Sequence, residues 1–519
     1  MSETSKGHGV LGRGERKGEN YSMPRARSQQ PAPAVTLSAM DSGLGTIREI
    51  GGSFRRGEIT PTALVERCLA RIAETDPAIH SFLRLTRDRA LEEARAAETA
   101  LKAGVDTGPL QGIPYAAKEL FDVLGEPSSA GTHLLEHRIA RDDAEAVRRL
   151  ASAGMVLLGK THTVQLAYGM VGVNNDQGTP RNPWSRVPHA TGGSSSGSAA
   201  AVAAGFVPMA LGTDTGGSVR VPAALCGVVG LKTTVGQVSR AGVHTLSWTL
   251  DSVGPIARTV EDAALVYQEL QGADSRDSAT SRAAPRDVLS GLADGVRGLR
   301  IRFAETLFFH DLDPEVERAV RGTGEVFRSL GADVASMEVP EVAEAWTLPK
   351  RALLIASEGI AVNRELFDEH FHELDPIVAL RMAPGRELAA VDYLILLRSI
   401  ADLRDRLHTR LHGVDALLVP TAMVPARPLE GLNAPTQDYF DYNLKLNRNA
   451  GLGNLLDLCG VSVPCGFTKE GLPIGLLIYA APFREDLALR IAHAYERAAA
   501  WPPQVPDLSW ALAPTLPTS

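Results

Sequence analysis

NPWSRVPHATGGSSSGSAAAVAAG (182–205) and GTDTGGSVRVPAA (212–224) are the stretches on which the reading of this chain turns. Each runs through Gly-Gly into serine, at Ser194 and at Ser218. Glycine adopts positive φ without steric cost, so successive main-chain N–H groups in such a run can converge. Converging N–H groups beside a hydroxyl form a pocket for charge developing on a carbonyl oxygen. Either cluster alone reads as an ordinary flexible loop. Together, and with GIPYAAKEL (112–120) upstream, they point to a hydrolytic site.

Two shorter motifs compete. GSSSG (193–197) matches the GxSxG elbow of α/β-hydrolase esterases, with Ser195 as nucleophile. That elbow needs a buried strand just before it, and WSRVPHAT (184–191) is not one. GMVLLGKT (154–161) matches the phosphate-loop pattern GxxxxGK[ST]. The residues between its glycines, Met155 to Leu158, read as an apolar strand, not as a loop of inward-turned N–H groups. The phosphate loop is rejected, and Ser195 stays as the lesser alternative.

Outward from the clusters, helices and strands alternate. Helical spacing begins near Leu44 and recurs over 62–74 and 87–103. Thr60-Pro61 gives the second of these its start signal. A helix over 143–154 leads into strand 155–160. Strand 299–304, helix 313–332 and strand 333–340 follow, then a helix near 392–412 and strand 415–422. This order argues for an open α/β sheet with helices on both faces. Residues 41–505 read as one catalytic domain, with a polar linker-like segment at 271–291 and a helical, pocket-forming insertion at about 341–450. Residues 1–40 and 506–519 read as tails, the first of them disordered.

The chain has 519 residues, 44% of them apolar and 22% charged, as in an ordinary globular enzyme. A formal net charge of −8 speaks against gripping nucleic acid, which needs clustered positive charge. The longest run of small apolar residues, 199–211, is too short to span a bilayer and contains Gly205 and Pro208. Residues 1–40 lack a signal-like apolar stretch, so a soluble, cytoplasmic protein is expected. Cys68, Cys226, Cys459 and Cys465 match no zinc spacing and read as reduced thiols.

These motifs, with GTDTGGSVRVPAALCGVVGLKTTVGQVSRAGV (212–243), LDSVGPIARTVEDAA (250–264) and NLLDLCGVSVPCGFTKEGLPIGLLI (454–478), resemble those of the amidase signature hydrolases over about residues 45–500. The resemblance implies an α/β/α sandwich around one large mixed β-sheet, and neither metal nor organic cofactor. It also implies a Ser–cis-Ser–Lys triad, with Ser218 as nucleophile, Ser194 as the bridging serine and Lys118 as the base. The main-chain N–H groups of Thr215, Gly216, Gly217 and Ser218 would form the oxyanion hole. Glu119 replaces the usual Asp after the lysine, and KTT (232–234) the usual KPT; neither touches the triad.

The chemistry implied is coherent. A serine hydroxyl attacks only when a base removes its proton. A lysine can be that base only when neutral, and its ordinary pKa is about 10.4. Burial and a nearby positive charge each push a lysine down, and Lys118 sits beside apolar Ala116, Ala117 and Leu120, so burial is expected there. Asp214 and Arg220 read as structural charges holding the loop. Tyr168, Gly169 and Met170 are expected along the cleft. The substrate expected is a small or aryl amide, with urethanes and esters open to the same tetrahedral chemistry. Water is the second substrate, no nucleic acid or membrane partner is expected, and a homodimer is left open. The rival is the glutaminase subunit of a tRNA-dependent amidotransferase. Val221, where such subunits usually carry Gln, favours a free-standing hydrolase.

Overall fold

The computed structural model of this chain describes residues 44–499 and 505–512. One mixed sheet organises them. Its strands are β1 (Phe82–Leu85), β2 (Pro114–Lys118), β3 (Val156–Thr161), β4 (Met209–Asp214), β5 (Val229–Lys232), β6 (Ser252–Ala257), β7 (Arg300–Ala304), β8 (Asp333–Met337), β9 (Ala416–Pro420), β10 (Cys459–Phe467) and β11 (Pro473–Ala480). They lie in the order β1-β3-β2-β4-β6-β5-β10-β11-β9-β7-β8.

The pairing is parallel in two blocks, β3-β2-β4 and β9-β7-β8, as helix-strand alternation demands. Between them the sheet is antiparallel, with β4-β6, β6-β5, β5-β10, β10-β11 and β11-β9. Strands β2, β3, β4, β5, β6, β9 and β11 are buried at every position. That is the signature of a sheet covered on both faces, so the layering is α/β/α. Helix Ser196–Ala203 packs on β4, and helices Arg220–Cys226 and Glu485–Ala498 pack on β10 and β11. SGSAAAVA is all small residues, which lets its helix lie buried along its whole length.

The segments set apart in the sequence find their places. Residues 271–291 are bonded down: the Gln271 amide pairs with the main chain of Arg286, and Asp277 pairs with Arg240. The stretch 341–450 is mostly helical, but β9 lies within it, inside the sheet. The 506–519 segment was expected as a tail; its described part instead buries Leu508 and Ala511, and Arg181 stacks on Trp510. The expected disordered tail at 1–40 lies outside the described residues. Among the described residues no helix is long and apolar enough to cross a membrane.

The phosphate-loop lookalike is a helix end followed by a strand. Gly154 turns the chain at φ +82° and β3 begins at Val156. Its lysine, Lys160, is buried against the Glu119 carboxylate and the Pro127 carbonyl, with no phosphate-facing role left to it.

Candidate active site

Three chain turns meet at the ends of β2 and β4. Lys118 is the last residue of β2. Ser194 follows a cis peptide from Gly193 and precedes helix Ser196–Ala203. Ser218 lies between the end of β4 and helix Arg220–Cys226. The two serine turns are stitched by the Ser195 N–H, which donates to the Ser218 carbonyl at 3.2 Å. Lys118, Ser194 and Ser218 are all buried.

Lys118 Nζ lies 2.7 Å from Ser194 Oγ and 2.8 Å from Thr213 Oγ1. Burial pushes its pKa down to about 7, against the pull of the carboxylates of Asp251 and Asp214. Loss of hydration alone does the lowering, as the apolar neighbours in the sequence suggest. Ser218 Oγ is buried and has no hydrogen-bond partner among the described residues. The Lys118–Ser194 link is therefore made in this structure and the Ser194–Ser218 link is not. The unbonded hydroxyl is the one group of the three free to meet a carbonyl carbon.

The turn before Ser218 is held from several sides. The Asp214 carboxylate accepts the Gly217 N–H at 2.8 Å and the Val219 N–H at 3.1 Å. It also takes two bonds from the Arg220 guanidinium, one from the Arg220 N–H and one from the Asn454 amide. Burial opposes its charge, but Arg220 and Lys232 outweigh burial and hold it well below the usual carboxylate range. Asp214 and Arg220 thus hold the loop. The Gly217 N–H, expected as an oxyanion donor, is taken by Asp214, because the carboxylate sits inside the turn. The N–H groups of Thr215, Gly216 and Ser218 have no acceptor among the described residues. Gly217 has φ +122°, and a Cβ there would stand 2.6 Å from the Ala450 methyl. Only glycine fits.

Ser195 is no elbow nucleophile. Its hydroxyl donates to the Thr213 carbonyl at 3.3 Å, and residues 184–191 before it form no strand. Ser198 bonds Thr161 Oγ1 and the Leu211 carbonyl.

The 168–170 stretch wraps the Ser194 turn. The Gly193 N–H donates to the Met170 carbonyl at 2.8 Å, and the Met170 N–H to Asn443 Oδ1 at 2.9 Å. The Met170 thioether reaches the Gly216-Gly217 turn, within 3.6 Å of where a Gly217 Cβ would be. A Cβ on Gly193 would stand 2.8 Å from the Gly169 carbonyl. Tyr168 is half-buried, its ring covered by the Arg381 guanidinium at 4.5 Å. Sequence reading missed Thr213, Asp251, Asn447 and Asn454. Thr213, Asp251 and Asn454 stand inside the motifs quoted above, with nothing in those motifs to single them out. Asn447 stands in none of them. Its Nδ2 donates to the Gly216 carbonyl at 2.9 Å, from a helix (Gln437–Leu455) more than 200 residues along the chain.

Known proteins resemble this chain over most of its length. The family model described as Amidase matches residues 63–489. A glutamyl-tRNA(Gln) amidotransferase subunit of Roseiflexus sp. (strain RS-1) is 37% identical, over 89% of this chain and 98% of its own length. An amidase of Pseudomonas putida is 36% identical, again over 89% of this chain and 98% of its own. The solved structure of native peptide amidase from Stenotrophomonas maltophilia superposes with a TM-score of 0.77 at 30% identity, covering 89% of this chain and 98% of that one.

Proposed function

The chain belongs to the amidase family, and from that premise we propose that it hydrolyses a small or aryl amide through an acyl-enzyme on Ser218. One observation carries the reading: an amine with a pKa near 7, buried and 2.7 Å from a hydroxyl, at a turn bonded to that of the free Ser218 hydroxyl. A neutral amine has a lone pair to accept the Ser194 proton while it donates to Thr213.

Ser218 Oγ attacks the carbonyl carbon. Its proton passes to Ser194 Oγ as the Ser194 proton passes to Lys118 Nζ. The oxyanion takes hydrogen bonds from the unengaged main-chain N–H groups of Thr215 and Gly216. The C–N bond breaks as Lys118, through Ser194, returns a proton to the departing nitrogen. Water then cleaves the Ser218 ester by the same relay, leaving a carboxylic acid and a free hydroxyl. Esters and urethanes share the tetrahedral intermediate and fall within the same reading.

A second reading is favoured by the Roseiflexus relative: glutamine is the amide, and its ammonia is handed to a partner protein. The two readings separate when the purified chain alone is given a panel of aryl amides, aliphatic amides, urethanes, esters and glutamine. Turnover of aryl or aliphatic amides supports the free-standing hydrolase. Ammonia release from glutamine only when an amidotransferase partner is added would replace it with the second reading.

A further inference from the structure

Thr215 is the only residue between Asp214 and Ser218 with a side chain, since Gly216 and Gly217 have none. It is also β-branched, so fixing its hydroxyl fixes χ1 and, with it, the start of the run. Thr215 Oγ1 donates to Asp251 Oδ1 at 2.5 Å. Asp251 is itself locked: Oδ2 accepts the N–H groups of Leu246 at 2.9 Å and Ser247 at 3.0 Å. A second buried carboxylate, Glu358, holds that segment from the other side. It accepts the hydroxyls of Ser247 and Thr249, and the Tyr393 hydroxyl at 2.7 Å. Helix Leu353–Val362, which carries Glu358, is thereby tied to the serine turn through two carboxylates.

We propose that Asp251 is a positioning residue for the reaction, aiming the main-chain donors of the Thr215–Ser218 run through the Thr215 hydroxyl. The inference rests on the reading of Ser218 as nucleophile. Two glycines would otherwise leave the run the most conformationally free stretch of the site. Of its other ties, Asp214 holds the Gly217 N–H, Asn447 the Gly216 carbonyl, and the N–H groups of Val221 and Ser195 the Gly217 and Ser218 carbonyls; among the described residues only Asp251 holds Thr215. The carboxylate has a second effect. Lys118 faces two negative groups, Asp251 and Asp214, and Asp214 is already paired with Arg220. Asp251 itself faces Arg240, which pairs with Asp277. Its charge keeps the buried amine more basic than burial alone would leave it.

Two variants separate aim from charge, read by p-nitrophenyl acetate hydrolysis and by the rate of Ser218 labelling with a fluorophosphonate. Thr215→Val keeps the charge and removes the tie. It should lower kcat and the labelling rate by about 10²-fold, the scale of a displaced catalytic group, with KM little changed and the pH profile in place. Thr215→Ser should recover most of that loss. Asp251→Asn removes the charge and leaves one acceptor oxygen in place of two, so it should lose less than Thr215→Val and also move the acid limb to lower pH. Thr215→Val within about threefold of wild type in both assays, at equal folded fraction, overturns the proposal, even if Asp251→Asn fails to fold. Ser218→Ala is the control. If it still turns over, the reading of Ser218 fails; if it is dead while Thr215→Val is unimpaired, only the positioning role of Asp251 fails.

Discussion

Asp214 and Arg220 close a two-point ion pair that water does not reach, with Nε to Oδ2 at 2.9 Å and Nη2 to Oδ1 at 2.8 Å. The guanidinium then reaches Tyr479 on β11 at 2.7 Å and Asn454 at 2.6 Å. One ion pair therefore joins the serine turn to the antiparallel half of the sheet. The arrangement is tolerable only because almost every lone pair and N–H has a partner.

Breaking that pair from one side should be severe. Asp214→Asn leaves Arg220 buried with its charge unbalanced, and Arg220→Met leaves Asp214 so. Each is expected to cost about 3–5 kcal/mol in unfolding free energy. Urea titration of both variants measures it; a loss below about 1 kcal/mol would mean the pair is not holding the turn.

The rate should fall as the medium becomes acidic. The proposed relay needs Lys118 neutral, and burial pushes its pKa down to about 7. kcat/KM is expected to rise through pH 7 and level off above it, reporting the free enzyme. Lys118→Met should remove nearly all activity with the fold intact by circular dichroism. A profile flat from pH 5 to 8 would exclude an amine base.

Gly217 and Gly216 should differ in tolerance although they are neighbours. A methyl on Gly217 meets the Ala450 methyl at 2.6 Å and must adopt φ +122°. A methyl on Gly216 meets only the end of the Asn447 side chain, at 2.9 Å, which can swing aside. Gly217→Ala is expected to lose about 1–3 kcal/mol from backbone strain, and Gly216→Ala clearly less. Thermal melts of the two rank them, and the reverse ranking would show that Asn447 is the rigid contact.

The meeting of Lys118, Ser194 and Ser218 was readable because each sits in a dense local motif, GIPYAAKEL, TGGSSSG and GTDTGGS. The strands that alternate with helices were readable for the same reason, since their signal is local periodicity. The β10–β11 hairpin was not, because its identity as mid-sheet strands depends on β5 and β9, which are far away in the chain. Asp251 reaches Thr215 across 36 residues and Asn454 reaches Asp214 across 240, distances at which spacing says nothing. The Gly217 N–H shows another limit. Glycine content marks where a chain can turn, but the acceptor that captures a given N–H is decided by packing.

Stability should fall with rising pH because of Asp262, on the helix Val260–Leu270. Its carboxyl is fully buried and accepts the Ile47 N–H at 2.8 Å, tying the helix Ile47–Arg55 to the core. Burial raises its pKa to about 7, and Oδ2 has no partner among the described residues. In the unfolded chain the value is about 3.9. The folded state therefore holds this proton more tightly. The stabilisation is complete below the unfolded value and is lost as pH climbs from about 4 through 7, a change of about 4 kcal/mol at most. Glu496, raised to about 8 and interacting with Asp262, works in the same direction. Asp262→Asn keeps an acceptor for Ile47 and has nothing to ionise. Its unfolding free energy should exceed that of the wild type at pH 8 and converge with it near pH 4. Denaturant titrations at both pH values test this, and parallel curves for the two proteins would show that Asp262 is ionised throughout.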